Sequence, residues 1–503
     1  MKISRLTQEV EKIYNKIIAN EAVPTKIAAQ VDEQHRLSAQ NLYRYLILRS
    51  FDLRKLHDSL SDLGISSIRT AEAYVLSNLT NVLKLLYLLQ GKQWEGDHDR
   101  PVIGYKKSKK LLRKNTKQLF YEDSKYTEIM VTLPDSAATD IDLIRNLVNE
   151  GMRIARLNLS QGDISLWKKI LANINQVKEE TGKRIKIYMD LSGPKIRTSE
   201  ILLHSKKGKV QEFVRLNVGD KLILTKRQTT GRQTTFSDKG DIIQSTEIGV
   251  KLPQIIDDLK IEDVVYFDDG MIKAKVMSKT SDAAELEITN AYKSKLSSNK
   301  GINLPNTKLN LPSLTDSDIE LLPFIAAEAD IVGYSFIRTP EDVKVLYAEL
   351  EKIGDKNTGV VFKIENKEAF DNLPLILFEA MKRQKIGVMI ARGDLAVEIG
   401  FERISEVQNE ILWLCEAAHI PVIWATQVLE NLAKTGVATR AEVSDASVSV
   451  QAECVMLNKG PFILDAVRTL KNIILKMKAH SVKKKSALRS LKVAKKALSK
   501  INK

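Results

Sequence analysis

The sequence predicts an α/β protein built on a (β/α)₈ TIM barrel, with an all-β lid domain inserted into it and an α-helical domain ahead of it. Three observations carry this. Short apolar runs, the length of strands buried on both faces, alternate with helical stretches from residue 128 to 191 and again from 318 to 478. Two of these runs end in charge: Val360-Val361-Phe362 passes into Lys363-Ile364-Glu365, and Ile386 to Ala391 into Arg392-Gly393-Asp394. Between the two alternating tracts lie about a hundred residues of short β-type runs broken by Gly-Asp and Asp-Gly turns. Strands joined through helices pair in parallel, and closed barrels of this kind carry their active sites at the C-terminal strand ends. Ionisable residues at those ends are therefore the candidate site residues.

Composition narrows the class. The 503 residues leave room for several domains, and 43% hydrophobic content supports a large core. The net charge of +15 is concentrated in Lys106–Lys117 and in Lys483–Lys503, which read as solvated basic segments. The alternative is that the basic tail contacts a polyanion or an anionic surface. Cys415 and Cys454, in apolar surroundings, read as buried reduced thiols and are too few for a cysteine zinc cluster. The opening MKISRLTQEVEKIYNKI is amphipathic without the apolar core of a signal peptide, and no later run is long enough to span a membrane. The expected location is cytoplasmic. No Gly-Lys is followed by Ser or Thr, which excludes a P-loop.

In chain order, residues 1–125 read as an N-terminal helical region and a basic linker. Ser38 is placed as the N-cap of a helix to Arg49, Asp52–Leu63 carries leucines at spacings of 3, 4 and 3 with Gly64 as a stop, and Thr70–Gln90 is a third helix. Residues 126–198 hold the first three barrel strands, at Ile129–Leu133, Met152–Leu159 and Ile185–Leu191. Residues 199–298 form the inserted β domain, and residues 299–480 the second part of the barrel. There, strands are expected at Asp330–Phe336, Val360–Glu365, Ile386–Ala391, Pro421–Thr426 and Glu453–Leu457, with Pro374 shaping or interrupting the helix that follows Glu365. Residues 481–503 are a basic tail, in which Ala487, Leu491, Ala494, Leu498 and Ile501 form one apolar stripe.

The strand-end residues suit phosphoryl transfer, which needs positive charge on the moving group and metal on its oxygens. Lys363 can lie against the phosphoryl group. Glu365 and Asp394, at neighbouring strand ends, can share a hard divalent cation. Arg156 offers a forked donor to phosphate, and Thr426 can position a carboxylate or a proton-relay water. Each alone is equally a rim salt bridge or cap. Their convergence on one rim favours chemistry.

At this point the sequence resembles a known family. VVFKIENKE is similar to the pyruvate kinase signature, and VMIARGDLAVEI to that family's Ala-Arg-Gly-Asp-Leu-Gly-Val-Glu segment; the likeness runs over about residues 127 to 467. ARLNLSQG resembles Ala-Arg-x-Asn-Phe-Ser-His-Gly, and VVYFDDGMIKAKV resembles the lid's Asp-Asp-Gly strand-turn. The resemblance implies a Mg²⁺-dependent (or Mn²⁺-dependent) transfer from phosphoenolpyruvate to ADP, giving pyruvate and ATP, in a homo-oligomer. By the match, Arg156, Lys363, Gly393, Asp394 and Thr426 meet the substrate, with Arg156, Lys363 and Thr426 catalytic. Glu365 and Asp394 hold the metal, and Arg197 and Asn158 meet the nucleotide. Asn158, Ser160, Asp190 and Lys195 border the monovalent-cation site.

Departures from the pattern are specific. Leu191-Ser192-Gly193-Pro194-Lys195-Ile196-Arg197 replaces Thr-Lys-Gly-Pro-Glu-Ile-Arg. The ammonium of Lys195 can take the charge role of K⁺, so K⁺ is expected not to be required. Thr-Ile-Gly-Pro-Ala-Ser has become TLPDSA (residues 132–137), Gln161 stands for a histidine, and Met-Leu-Ser-Gly-Glu-Thr has become MLNKGP (residues 456–461). After residue 480 the family continues into a C-terminal domain; here residues 481–503 are the basic tail, and that domain is expected to be lacking. Two rival readings remain open: a barrel kinase on a related phosphorylated substrate, and a pyruvate-kinase-like scaffold whose helical region and tail bind a partner.

Overall fold

The computed structural model describes residues 3–65, 67–96, 102–120, 127–204, 210–237, 239, 242–477 and 490–502. Its centre is a closed parallel barrel of eight strands: β1 (Glu128–Thr132), β2 (Met152–Asn158), β3 (Lys186–Asp190), β4 (Ile331–Tyr334), β5 (Gly359–Ile364), β6 (Ile386–Ala391), β7 (Val422–Ala425) and β8 (Cys454–Leu457). Strand β1 closes the ring on β8, with Glu128 opposite Cys454. All residues of β5 and β6 are buried, which is why their sequences are unbroken apolar runs up to the charged ends. The outer helices start sharply after their loops because Asp163, Thr315, Thr339, Asn366 and Thr439 each accept a backbone N–H of the first turn. Pro374 does not interrupt its helix, which runs unbroken over Lys367–Ala380.

A six-stranded sheet and three two-stranded ribbons occupy the chain between β3 and β4. This lid has its own core, including Val214, Leu222, Ile248, Phe267 and Ile288. Its Asp268-Asp269-Gly270 turn has φ of 53°, 55° and 86°. Asp268 is balanced there by Lys293 and Lys300. Glycine is needed at 270, since a Cβ would meet the Phe401 ring on the barrel rim at 3.3 Å.

The segment read as a linker contains a helix, Tyr105–Leu119. It buries Ser108, Asn115, Thr116 and Leu119, while Lys106, Lys107, Lys109, Lys110, Arg113 and Lys114 face solvent. Leu119 and Phe120 join Met130, Ile154, Tyr188, Val361, Met389 and Met456 in the barrel interior. They fill the floor, and two strand glycines make the room. A Cβ on Gly359 or on Gly387 would lie 2.6 Å from a Leu119 methyl.

Ser38 is not an N-cap. The helix starts at Arg36, and Ser38 Oγ lies 3.0 Å from Nδ1 of buried His419. Burial drives the His419 pKa down to about 4, so the ring is neutral. Its Nε2 meets Ala73 O at 2.9 Å and its own carbonyl accepts from Asn115 Nδ2 at 2.7 Å, so His419 pins the N-terminal helices to the barrel.

The tail is also not simply solvated. Residues 478–489, including Ala487, lie outside the described residues, but a helix forms at Lys492–Ile501. It buries Val493, Ala494, Ala497 and Leu498. Leu491 N–H donates to Arg49 O at 2.9 Å, and Lys496 pairs with Asp371 at 2.8 Å. Both cysteines are buried, and neither forms a disulfide among the described residues. Among the described residues, no helix is long and apolar enough to cross a membrane.

Candidate active site

The C-terminal ends of β2, β3 and β5 bring four charges together. Arg156 leaves β2 and donates Nε to Asp190 Oδ2 at 2.6 Å and Nη1 to Thr132 Oγ1 at 2.8 Å. Asp190, at the end of β3, also faces Lys363 Nζ at 3.5 Å. Lys363, on β5, donates to Ser335 Oγ at 2.7 Å and lies 3.2 Å from Glu365 Oε1. Burial works against the Asp190 charge, but Arg156 and Lys363 outweigh it and hold the carboxyl below its usual range. Burial likewise opposes the Lys363 ammonium; Asp190 and Glu365 overcome it and raise its pKa. Lys363 is thus kept charged, and both cations are held in place and almost dry.

Glu365 behaves differently. Burial raises its pKa, Lys363 opposes this, and Asp394 adds to it. Its Oε2 accepts the Phe336 N–H at 2.7 Å. Asp394 sits in the first turn of a helix, Arg392–Ile399, that begins directly after β6. The sequence reading had missed this helix. Glu365 and Asp394 line one cleft of about 230 Å³ together with Lys195, Asn303, Phe336 and Glu398. Among the described residues, no three His, Cys, Asp or Glu side chains gather as a metal site. The donor set nevertheless suits a divalent cation: two carboxylates whose charges oppose each other would be relieved by one, with substrate oxygens completing the shell.

The remaining predicted residues fall into place unevenly. Thr426 has φ of 63° and its Oγ1 accepts the Gly393 N–H at 2.8 Å, so it fixes the turn that presents Asp394. Arg392 is spent on structure: it stacks 4.9 Å over Trp424 and pairs with Asp445. Lys195 Nζ lies 2.9 Å from both Asp394 oxygens, while Asp190 is taken up by Arg156 and Lys363. Asn158 Oδ1 accepts from Ser160 Oγ at 2.9 Å. Arg197 donates to Asn299 O at 3.0 Å at the base of the lid.

Three site residues were not picked out from sequence. Ser335 has no charge to mark it. Asn303, 91 residues from Asp394, reaches it only in the fold, at 3.4 Å. Glu398 lies one helical turn beyond Asp394, a signal that the sequence did offer. Burial first, then the Asp394 charge, push its pKa up to about 7. The substituted segments also converge. Asp135, Gln161, Asn458 and Lys459 line a second cleft, of about 270 Å³, against Arg156. Lys459 Nζ donates to Gln161 Oε1 at 2.7 Å across it.

With this geometry in hand, the comparisons are direct. Residues 124–461 match the family described as pyruvate kinase, barrel domain. The chain is similar to the pyruvate kinase of Staphylococcus haemolyticus, at 32% identity over 362 residues, which is 70% of this chain and 57% of that one. It is similar to the pyruvate kinase of Sporosarcina psychrophila at 32% identity over 360 residues, with the same two shares. A crystal structure of a pyruvate kinase from Cryptosporidium parvum aligns with TM-score 0.61 and 26% identity, covering 73% of this chain and 71% of that one. The chain thus spans 57% of the length of the curated relatives it matches.

Proposed function

Because this chain belongs to the pyruvate kinase family, we propose that it transfers the phosphoryl group of phosphoenolpyruvate to ADP, giving pyruvate and ATP. The observation that carries the reading is the anchoring of Arg156 and Lys363 on one buried carboxylate, Asp190. It presents two fixed cations to a phosphoryl group at the barrel mouth. The bond between the enol oxygen and phosphorus breaks, and a bond from an oxygen of the ADP β-phosphate forms. Arg156 holds the phosphoryl oxygens and Lys363 follows their charge through the transfer. Glu365 and Asp394 would hold Mg²⁺, which when bound neutralises charge on the transferring oxygens. Thr426 keeps Asp394 in position and would serve the proton transfer to the enolate carbon. Lys195 supplies a fixed positive charge, so no monovalent cation is needed.

Assembly belongs to the same proposal. Val443 stands partly exposed in the first half of the Arg440–Ser449 helix, where a second copy could pack. The Lys459–Gln161 bond, which spans the cleft beside Arg156 with substituted side chains, favours a second reading, a pyruvate-kinase-like scaffold without full kinase turnover.

A lactate-dehydrogenase-coupled assay with phosphoenolpyruvate, Mg²⁺ and a panel of nucleoside diphosphates decides between them. Turnover that Lys363→Met abolishes supports the kinase. No turnover with any diphosphate supports the scaffold.

A further inference from the structure

Beneath the four charges lies a titratable group that the proposed chemistry does not use. Tyr188 and Asp190 are two residues apart on β3, so both side chains point to the same face, into the barrel. They are 0% and 1% exposed. The register sets Asp190 against Gly333 of β4 and Tyr188 against Ile331. A Cβ on Gly333 would lie 2.1 Å from Tyr188 Oη and 2.1 Å from Asp190 Oδ1. The two oxygens therefore crowd the one space that any other residue at 333 would fill. Neither oxygen has a hydrogen-bond partner among the described residues.

We propose that Tyr188 is a positioning residue for the phosphoryl-binding pair: its hydroxyl donates to Asp190 Oδ1 from below and thereby sets where Lys363 sits. The inference rests on the kinase reading above. Asp190 Oδ2 is committed to Arg156. Oδ1 is the contested atom, with the phenol on its floor side and the Lys363 ammonium 3.5 Å away on its rim side. That spacing is an ion pair longer than a hydrogen bond. With the floor side of Oδ1 taken by the hydroxyl, Lys363 is held instead by Ser335 and Glu365, at 2.7 Å and 3.2 Å, toward the mouth. Without the hydroxyl, a buried carboxylate oxygen short of a donor draws the ammonium down, away from the substrate. Gly333 is the other half of the device, because only a residue without Cβ leaves the phenol and the carboxylate side by side.

Tyr188→Phe removes one oxygen and keeps the ring. The expected result is a fall in kcat of about tenfold and a weaker phosphoenolpyruvate affinity by calorimetry, of about fivefold, with KM for ADP and the unfolding midpoint unchanged. A merely structural role would move the midpoint and both substrates together. The path through Asp190 is read by a double-mutant cycle: adding Tyr188→Phe to Asp190→Asn should change kcat by less than about twofold. Tyr188→Phe with kcat and phosphoenolpyruvate affinity within about twofold of the unsubstituted protein, or additive effects in the cycle, would overturn the inference. Should the unsubstituted protein neither turn over nor bind phosphoenolpyruvate, the kinase reading falls and takes this one with it.

Discussion

Lys195 Nζ sits 2.9 Å from both carboxylate oxygens of Asp394, across 199 residues of sequence. An ammonium that straddles one of the two candidate metal carboxylates places positive charge in the cleft where the proposed substrate would bind.

The first prediction concerns that charge. Initial rates should be the same in K⁺-free and K⁺-containing buffer. Lys195→Glu should lower the K⁺-free rate by at least about tenfold and make it recover on adding K⁺. A strong K⁺ requirement in the unsubstituted protein would refute the assignment.

Lys363→Met should cost both activity and stability. Losing a fixed cation aimed at the transferring group should slow turnover by at least about a thousandfold. It also leaves Asp190 and Glu365 buried without their shared partner, a penalty of about 3 kcal/mol. The coupled assay reads the first and urea unfolding the second. Full stability together with lost turnover would mean that the ammonium does not hold the two carboxylates.

Glu398 gives the rim a pH dependence with a definite sign. Its native pKa of about 7 lies above the ordinary 4.5, so the folded protein holds that proton more tightly than the unfolded chain. This contribution to stability is complete below the ordinary value and is lost as pH rises through about 7. Glu398→Gln should therefore be more stable than the parent by about 1–3 kcal/mol near pH 8, with little difference near pH 4. Denaturation curves at the two pH values measure it, and an equal difference at both would count against a buried, proton-holding carboxyl.

Leu119→Ala should destabilise by about 2–4 kcal/mol, because it opens a cavity against Gly359 and Gly387 at the floor of the barrel. Gly359→Ala should fail by the opposite route, overpacking against the same leucine. Equilibrium unfolding checks both. Neither substitution is expected to alter KM for phosphoenolpyruvate, since the rim lies at the other end of the strands.

The barrel was legible in the sequence because β5 and β6 are buried throughout and so leave unbroken apolar runs, with Lys363, Glu365 and Asp394 marking their ends. The helix at Arg392–Ile399 was hidden because, after the charged Arg392-Gly393-Asp394, Leu395, Val397 and Ile399 alternate at the two-residue spacing of a strand rather than at a helical period. The plug was hidden for another reason. Leu119 sits in a lysine-rich stretch, and the glycines that receive it are more than two hundred residues away. Lys195 and Tyr188 belong to the same class: what each does depends on a partner, Asp394 or Gly333, that only the closed barrel brings near. Individual residue types announced the strand-end chemistry, but the partners that tune it could not be read without the register.

The Leu119–Phe120 stopper has a practical consequence for dissecting the molecule. A fragment that starts at the first barrel strand would contain every rim residue named above, yet its underside would be an uncorked hollow lined by Met130, Val361, Met389 and Met456. Water or another chain's side chains would enter there. The shortest self-sufficient barrel piece must begin upstream of Tyr105, and a shorter one should aggregate however faithful its mouth.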